Sequence, residues 1–243
     1  MRFSPPPINL RNLKADRGFV LVTALIFLVV LSVLSVMAVR GSLFEERIAA
    51  SDRDMALARE NAELALRDAE RDILGLRFDG QYCSAAPCTN LRPTGTRPVS
   101  TADSGNFWVG SNGVVETIGK TDGGVGLATN LQGFYNGTSA SACGIPVWSA
   151  ANWNDGVTRI CAGTITTTVP TVAYGTFTDA PFTQAGVTAP RYLVEIFTAS
   201  DLNIANGNSN KILFRITAVG FGRTTGSNGA LTSVTLQSVF SAL

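Results

Sequence analysis

The sequence contains no histidine, and this absence excludes several kinds of active site. Hydrolases with a histidine base, histidine-ligated zinc and haem with a proximal histidine all need that side chain. Charge is also scarce, because only 15% of the 243 residues are charged and the formal net charge is +1. A nearly neutral chain has no electrostatic footprint for nucleic acid. We therefore expect a protein that is not an enzyme, with no cofactor, metal, nucleic acid or small-molecule substrate.

An uncharged segment near the N-terminus is the longest hydrophobic run of the chain. It extends from Phe19 to Val39, and its 21 residues would span about 30 Å as a helix. Residues 1–18 carry four basic residues and one acidic residue, whereas mixed charges follow the segment. The positive-inside rule therefore predicts a membrane span with residues 1–18 in the cytoplasm and the rest of the chain outside.

The helix is predicted to continue beyond Val39 to about residue 75, because no proline and only Gly41 interrupts the strong helix formers that follow. Apolar side chains recur there at helical spacing and predict one buried stripe. They are Ile48, Met55, Ala58, Ala62, Ala65, Leu66, Ala69, Ile73 and Leu76. We interpret the remaining charges as a solvated face, with ion pairs Glu63/Arg67 and Asp68/Arg71.

After Gly75 the composition turns to Gly, Ser, Thr, Asn and Ala, which predicts short strands and long turns. The clearest strands are residues 191–198, 211–221 and 231–241, separated by turn formers as in an antiparallel meander. Further strands are predicted at 106–109, 113–118, 159–169 and 173–177. Gly220 and Gly222 are interpreted as hairpin and bulge glycines, as are the glycines at 123–126.

All four cysteines follow the membrane span, on the exported side, where disulfides form. Three pairings are possible, and we favour Cys83 with Cys88 and Cys143 with Cys161 because each closes a short loop. A zinc site made of four thiolates is the alternative, although paired C-x2-C spacing is missing.

A few polar and aromatic residues resemble binding sites only weakly. The turn at 201–208 holds several oxygen ligands but lacks the alternation and final glutamate of a calcium loop. Asp122, Asp155 and Asp179 lie in predicted loops without a carboxylate partner. Four aromatic residues are candidates for an adhesive patch or, more simply, for the core: Trp108, Tyr135, Trp148 and Trp153.

Both ends of the chain resemble one protein family. The basic leader ends in Arg17-Gly18 and Phe19 begins the hydrophobic helix, which is similar to the class III signal of type IV pilins and pseudopilins. Within the helix, ERIAA at 46–50 and ARENAELALRDAE at 58–70 resemble the signature of PilX-like minor pilins. FRITAVGFG at 214–222 and VTLQSVF at 234–240 resemble the end of the same proteins.

The resemblance implies an α+β, type IV pilin-like fold, with the long N-terminal helix packed on a C-terminal antiparallel sheet. Residues 1–18 would be the leader peptide and 19–75 the helix, of which 19–39 lie in the membrane or filament core and 40–75 are amphipathic. Residues 76–243 would form a periplasmic β-rich head.

The resemblance also implies cleavage by a prepilin peptidase between Gly18 and Phe19, followed by N-methylation of Phe19. The alternative is a signal peptidase that cuts after Ala38 and releases a soluble protein. Position five of the mature chain would be Thr23, where major pilins carry a glutamate. The implied function is that of a minor pilin which acts in pilus assembly at the tip, with other minor and major pilins as partners. A type II secretion minor pseudopilin and a pilus-borne adhesin are the alternatives.

Overall fold

A computed structural model of the protein contains the long N-terminal helix that the sequence predicts. This helix, α1, spans Arg17–Leu74. It ends at Gly75, whose positive φ of 74° suits a residue without a β-carbon. The amide of Gly75 donates to the Asp72 carbonyl and that of Leu76 to the Arg71 carbonyl, which is the Schellman arrangement of a helix end.

The structure describes residues 17–92, 97–99, 107–108, 132–137, 144–156, 169–198, 201, 212–226 and 229–241. The chain forms two units, Met1–Ser51 and Asp52–Leu243. In the first unit the described part is helical, and every described side chain from Phe19 to Ser51 is exposed. The described part of the second unit holds the rest of α1, the short helices given below and a sheet.

The sheet has five strands, β1 Phe134–Asn136, β2 Val172–Ala173, β3 Arg191–Thr198, β4 Ile212–Thr225 and β5 Leu231–Phe240. Its order is β1-β3-β4-β5, and β2 also pairs with β3. The pairs β3–β4 and β4–β5 are antiparallel, so the predicted meander and the α+β fold class are confirmed. The short β1 runs parallel to β3 and β2 runs antiparallel to it.

Some strand predictions in the middle of the chain are wrong. Phe107 and Trp108 are helical, although a strand was expected at 106–109. Only Ala173 of the expected strand 173–177 belongs to a strand, because residues 174–178 form a turn. The expected strands at 113–118 and, except for Val169, at 159–169 lie outside the described residues. The short helices α2 Cys88–Leu91 and α3 Val147–Ala150 were not predicted.

The predicted apolar stripe of α1 forms the core of the second unit. Five of its members have no exposed surface: Ala58, Ala62, Ala65, Ala69 and Ile73. Ala65, Ala69 and Ile73 lie in one cluster with side chains of β3 and β4, including Tyr192, Phe214 and Ile216. The stripe is shorter than predicted, because Ile48 and Met55 are exposed by 61% and 49%.

A second, smaller cluster covers the other face of the sheet. Leu193 alternates along β3 with the core residue Tyr192 and therefore points away from α1. It packs with Tyr135 of β1, with Val147 and Ala151 in and after α3, and with Val169. The sheet is thus covered on both faces at β3.

Candidate functional site

The apolar N-terminal segment of α1 is the largest exposed hydrophobic surface that the structure describes. The helix is long and apolar enough to cross a membrane, and none of its most apolar window is buried. Phe19 is exposed by 70% and Leu28 by 69%. Soluble proteins rarely leave so much contiguous apolar surface uncovered, so this segment needs a lipid or protein environment.

The residues of the predicted processing site lie at the start of this segment. Gly18 and Phe19 are in the first turn of α1, where the peptide amides lack helical partners. The Thr23 hydroxyl lies 3.0 Å from both the Phe19 and the Val20 carbonyl oxygens, so it donates within its own helix. The Thr23 side chain carries no charge, and its one hydroxyl donor is used within the helix.

One predicted disulfide is present. Cys83 and Cys88 are bonded, with their α-carbons 5.3 Å apart, and both side chains are buried. Because this bond consumes two of the four thiols, a zinc site made of all four is excluded. Cys143 and Cys161 lie outside the described residues, so their pairing stays a prediction.

Polar residues on the buried face of α1 are the main feature that the sequence pattern did not predict. Asp54, Asn61 and Asp68 follow one another at intervals of seven residues, and Asp72 comes one turn later. All four are buried, with at most 7% exposure. The interpretation of the helix charges as solvated is therefore wrong for Asp54, Asp68 and Asp72. It holds for Arg59, which is exposed, and for Glu63, which is partly exposed and pairs with it at 3.5 Å.

Asp54 binds the end of β4. Its carboxylate accepts hydrogen bonds from the amide of Arg223 at 2.6 Å and from the amide and hydroxyl of Thr224. Burial raises the pKa of Asp54, but these hydrogen bonds outweigh it and hold the pKa below its ordinary value. A β-carbon at Gly222 would lie within 3.0 Å of the same carboxylate, so Gly222 leaves room for it.

Gly220 is the point of closest approach between α1 and the sheet. A β-carbon there would lie within 3.0 Å of the Ala58 carbonyl oxygen and the Ala62 amide nitrogen. Gly220 pairs regularly with Val234 of β5, so its interpretation as a hairpin or bulge glycine is wrong. Next to it, the Asn61 side chain donates to the Phe221 carbonyl at 2.8 Å.

Asp68 binds the turn that follows β2. Its carboxylate accepts hydrogen bonds from the amide of Gly175 at 2.8 Å and from the hydroxyl of Thr178. Complete burial raises its pKa to about 6, although both hydrogen bonds act in the opposite direction. The predicted partner Arg71 contributes only a smaller electrostatic effect.

Asp72 lies between two buried guanidinium groups. It is 3.3 Å from Arg92 and 3.0 Å from Arg97, and it accepts a hydrogen bond from the Tyr192 hydroxyl at 2.9 Å. Arg92 also donates to the carbonyl oxygens of Asp72 and Leu76, at the C-terminal end of α1. A cation at a helix C-terminus is favourable, so this cluster both pairs the Asp72 carboxylate with guanidinium groups and caps the helix.

Arg97 is further held by aromatic rings. Its guanidinium carbon lies 4.3 Å from the ring centre of Phe134 and 4.0 Å from that of Phe177, on two different segments. Such cation–π contacts stabilise a desolvated guanidinium by about 2 kcal/mol. Arg92 and Arg97 therefore join the middle of the chain to α1 and to β1.

Comparison with known families accounts for both ends of the chain. The PilX N-terminal family matches residues 17–67, and the family of the type IV pilus assembly protein PilX, C-terminal part, matches residues 92–242. The chain belongs to the PilX family of type IV pilus assembly proteins. No curated protein and no solved structure matches it.

In this PilX family protein, the buried polar face of α1 holds the helix in its place in the pilin-like fold. A PilX family protein is a structural component of pilus assembly, and the apolar N-terminal helix of this chain is long enough for a membrane anchor. In this member, Asp54 accepts hydrogen bonds from the end of β4, Asn61 donates one to β4, and Asp68 accepts them from the turn after β2. These bonds fix the position of α1, where alanine side chains alone would allow it to slide. The geometry therefore supports a structural role for this face of α1.

The weaker candidate sites of this PilX family protein have structural roles where they are described. Trp108 is buried and donates to the Ile73 carbonyl at 3.0 Å, and the Tyr135 hydroxyl donates to the Pro170 carbonyl at 2.6 Å. Trp148 and Trp153 are partly buried at the second cluster.

The loop carboxylates also have local partners. Asp155 accepts a hydrogen bond from Asn152 at 3.0 Å, Asp179 lies 3.6 Å from Arg77, and Asp201 accepts from the Thr198 amide and hydroxyl. Asp122 and the rest of the 201–208 turn lie outside the described residues. Within those that are described, no group of three His, Cys, Asp or Glu side chains could hold a metal ion.

Proposed function

We propose that the protein is a minor pilin, stored in the inner membrane by residues 19–39 with its head in the periplasm, and then incorporated into a type IV pilus. The observation that carries this proposal is the exposed apolar segment of α1 in a chain of the PilX family. Both lipid and a bundle of neighbouring helices would cover that segment. Its transfer from one to the other exchanges similar apolar contacts and needs no covalent chemistry from this chain.

Processing is proposed at the peptide bond between Gly18 and Phe19. A helix terminus frays more easily than its interior, so a peptidase at the cytoplasmic face of the membrane can reach a bond in the first turn. Gly18 has no side chain to crowd the catalytic groups of the peptidase. Phe19 would then become the methylated N-terminus of the mature protein.

Thr23 is the basis for placing the protein at the tip of the pilus. In a filament core, the N-terminal amine of one subunit needs a partner charge, because an unpaired charge in an apolar environment costs several kcal/mol. Thr23 has no charge, and its hydroxyl donates to Phe19 and Val20 of its own helix. A subunit that lacks the position-five glutamate of major pilins suits a position where no neighbouring N-terminal amine needs a partner charge. The tip of the pilus, in a priming complex of minor pilins, is such a position.

We infer no second function. The match to type IV pilus assembly proteins supports a role in the pilus over one in type II secretion. Trp108 and Tyr135 are buried and therefore unavailable for an adhesive patch. The buried carboxylates of Asp54, Asp68 and Asp72 have structural partners, which supports a protein without catalysis.

The proposal is tested by deleting the gene and by immunogold labelling of sheared pili. Deletion should reduce the number of pili per cell, and the wild-type protein should label filament ends. Thr23→Glu should allow labelling along the shaft, whereas Thr23→Val, which has a similar volume and no charge, should stay at the ends. Wild-type labels spaced evenly along filaments would refute the tip position, and unchanged piliation after deletion would refute the role in assembly.

A further inference from the structure

The two edges of the sheet are protected very differently. The outer edge of β3 is covered by β1 over residues 134–136 and by β2 over residues 172–173. At the other edge, β5 has ten residues and pairs with β4 alone among the described strands. In an antiparallel pair, alternate residues turn their amide and carbonyl groups away from the partner strand. About five residues of β5 therefore present an open hydrogen-bonding edge.

Strand β5 also lacks the features with which proteins normally prevent pairing at an open edge. Its sequence, LTSVTLQSVF, contains no charged residue and no proline, and its described register with β4 is regular from Ser233 to Phe240. Lysine, proline, bulges or short length usually block such an edge. The eight residues from Ser233 to Phe240 have none of these features and therefore form a template for another strand.

The outer side of β5 offers a side-chain contact as well. Val239 is exposed by 68%, more than any other large apolar side chain described outside α1. It lies in register with Arg215 of β4, which in turn pairs with Glu195 of β3 through two hydrogen bonds of 2.8 Å. Arg215 also lies 5.0 Å from the ring centre of Phe197. An apolar residue on an added strand would cover Val239. It would extend the row of neighbouring side chains that runs from Glu195 through Arg215 to Val239.

We propose that the free edge of β5 binds an extended, uncharged strand of a different subunit of the same pilus, with an apolar residue opposite Val239. This inference rests on the proposed function. The neutral edge selects a neutral strand, because a charged residue would lose hydration without gaining a partner charge there.

A second copy of this chain is a poor occupant. Antiparallel pairing of two β5 strands relates the copies by a twofold axis perpendicular to the sheet. That axis reverses every direction in the plane of the sheet, including that of the helical segment from Asp54 to Ile73 that packs on it. The Asp54 ends of the two copies would then point in opposite directions, although both lead to segments anchored in the same membrane.

Photocrosslinking in piliated cells tests this inference with the full-length chain. A photoreactive amino acid replaces Gln237, which is exposed on β5, or Thr183, which is exposed in a loop away from β5. The expected result is a crosslink from position 237 to an uncharged segment of another pilin, identified by mass spectrometry, with at most about one tenth of that yield from position 183. Crosslinks to a second copy of this chain, or equal yields from both positions, would overturn it.

Charged variants provide the second measurement. Thr235→Lys combined with Val239→Lys keeps both side chains on the exposed face and should lower both crosslink yield and pili per cell by about tenfold. Thr183→Lys is the control and should change neither, and equal thermal unfolding of all three proteins shows that folding is intact. If gene deletion lowers piliation but the double lysine variant does not, the strand-pairing inference fails while the minor-pilin proposal stands.

Discussion

Replacing Gly220 with alanine should destabilise the folded head far more than the size of one methyl group suggests. The added β-carbon would lie within 3.0 Å of main-chain atoms of Ala58, Asn61 and Ala62. Inserting a methyl group into a packed core typically costs 1–3 kcal/mol, because neighbouring side chains can move. Here the neighbours are main-chain atoms of α1, which is itself fixed to β4 by Asp54 and to the turn after β2 by Asp68.

We therefore expect a loss of about 3 kcal/mol or more in the free energy of unfolding, at the upper end of that range. For a domain of this size this corresponds to a fall in Tm of roughly 6–12 °C. The measurement is thermal and urea denaturation of the full-length protein in detergent, followed by near-ultraviolet circular dichroism of the buried aromatic residues.

Two matched variants separate the close approach from a general effect of glycine replacement. For Gly222→Ala the three nearest atoms all belong to the Asp54 side chain and none to the main chain, so it should cost less than Gly220→Ala. Gly41→Ala meets nothing within 4 Å and lies in a helix, where alanine is favoured, so it should cost nothing. A Gly220→Ala protein within about 0.5 kcal/mol of the wild type would refute the packing of α1 on β4.

Three further changes test the buried polar face and the processing site. Asp72→Asn leaves Arg92 and Arg97 buried without their counter-charge, so chemical denaturation should show a loss of about 3–5 kcal/mol. Asp68 has a pKa of about 6 in the folded protein against 3.8 for the free side chain, so the folded state holds this proton more tightly. The resulting stabilisation is full below about pH 4 and is lost as the pH rises to about 6. Between these pH values, the free energy of unfolding of the wild type should fall by roughly 3 kcal/mol relative to that of Asp68→Asn. Gly18→Val should block cleavage and leave a membrane protein that retains its first 18 residues on a denaturing gel.

Each of these expectations has a contradicting result. A loss below about 1 kcal/mol for Asp72→Asn would mean that the two arginines find other partners or solvent. A stability difference between wild type and Asp68→Asn that does not change from about pH 4 to about pH 6 would contradict the raised pKa of Asp68. Normal maturation of Gly18→Val would place the cleavage site elsewhere.

The parts of the fold that the sequence predicts are those with a regular period and local partners. The alanines of α1 recur at helical spacing, and each strand of the meander pairs with the next one along the chain. Ala62 was therefore correctly placed in the core, and β3 was predicted with its observed bounds. The disulfide between Cys83 and Cys88 closes a loop of only a few residues and was predicted for the same reason.

The polar contacts on α1 were missed because their partners are far away in sequence. Asp54 binds Thr224, and Asp68 binds Thr178, which are 170 and 110 residues away. The sequence does contain the seven-residue interval of Asp54, Asn61 and Asp68. The same interval relates Ala58 to Ala65 in the core stripe. Acidic residues that share the phase of a buried alanine stripe are the signal that would have predicted their burial.

The role of Gly220 could not be predicted from the sequence either. Its neighbours on either side fit a regular strand, and a glycine in a strand indicates either a bulge or a close approach of another main chain. The choice between the two depends on where α1 crosses the sheet. That crossing is fixed by Asp54 and Asn61, whose partners the sequence did not identify.

The mass of the mature protein, recovered from sheared pili, tests the central claim most directly. The account predicts a chain that lacks residues 1–18, begins with N-methylated Phe19 and retains the whole apolar segment of α1. A chain that begins at Val39, or the absence of the protein from purified pili while it is present in the periplasm, would contradict its assignment as a pilin subunit.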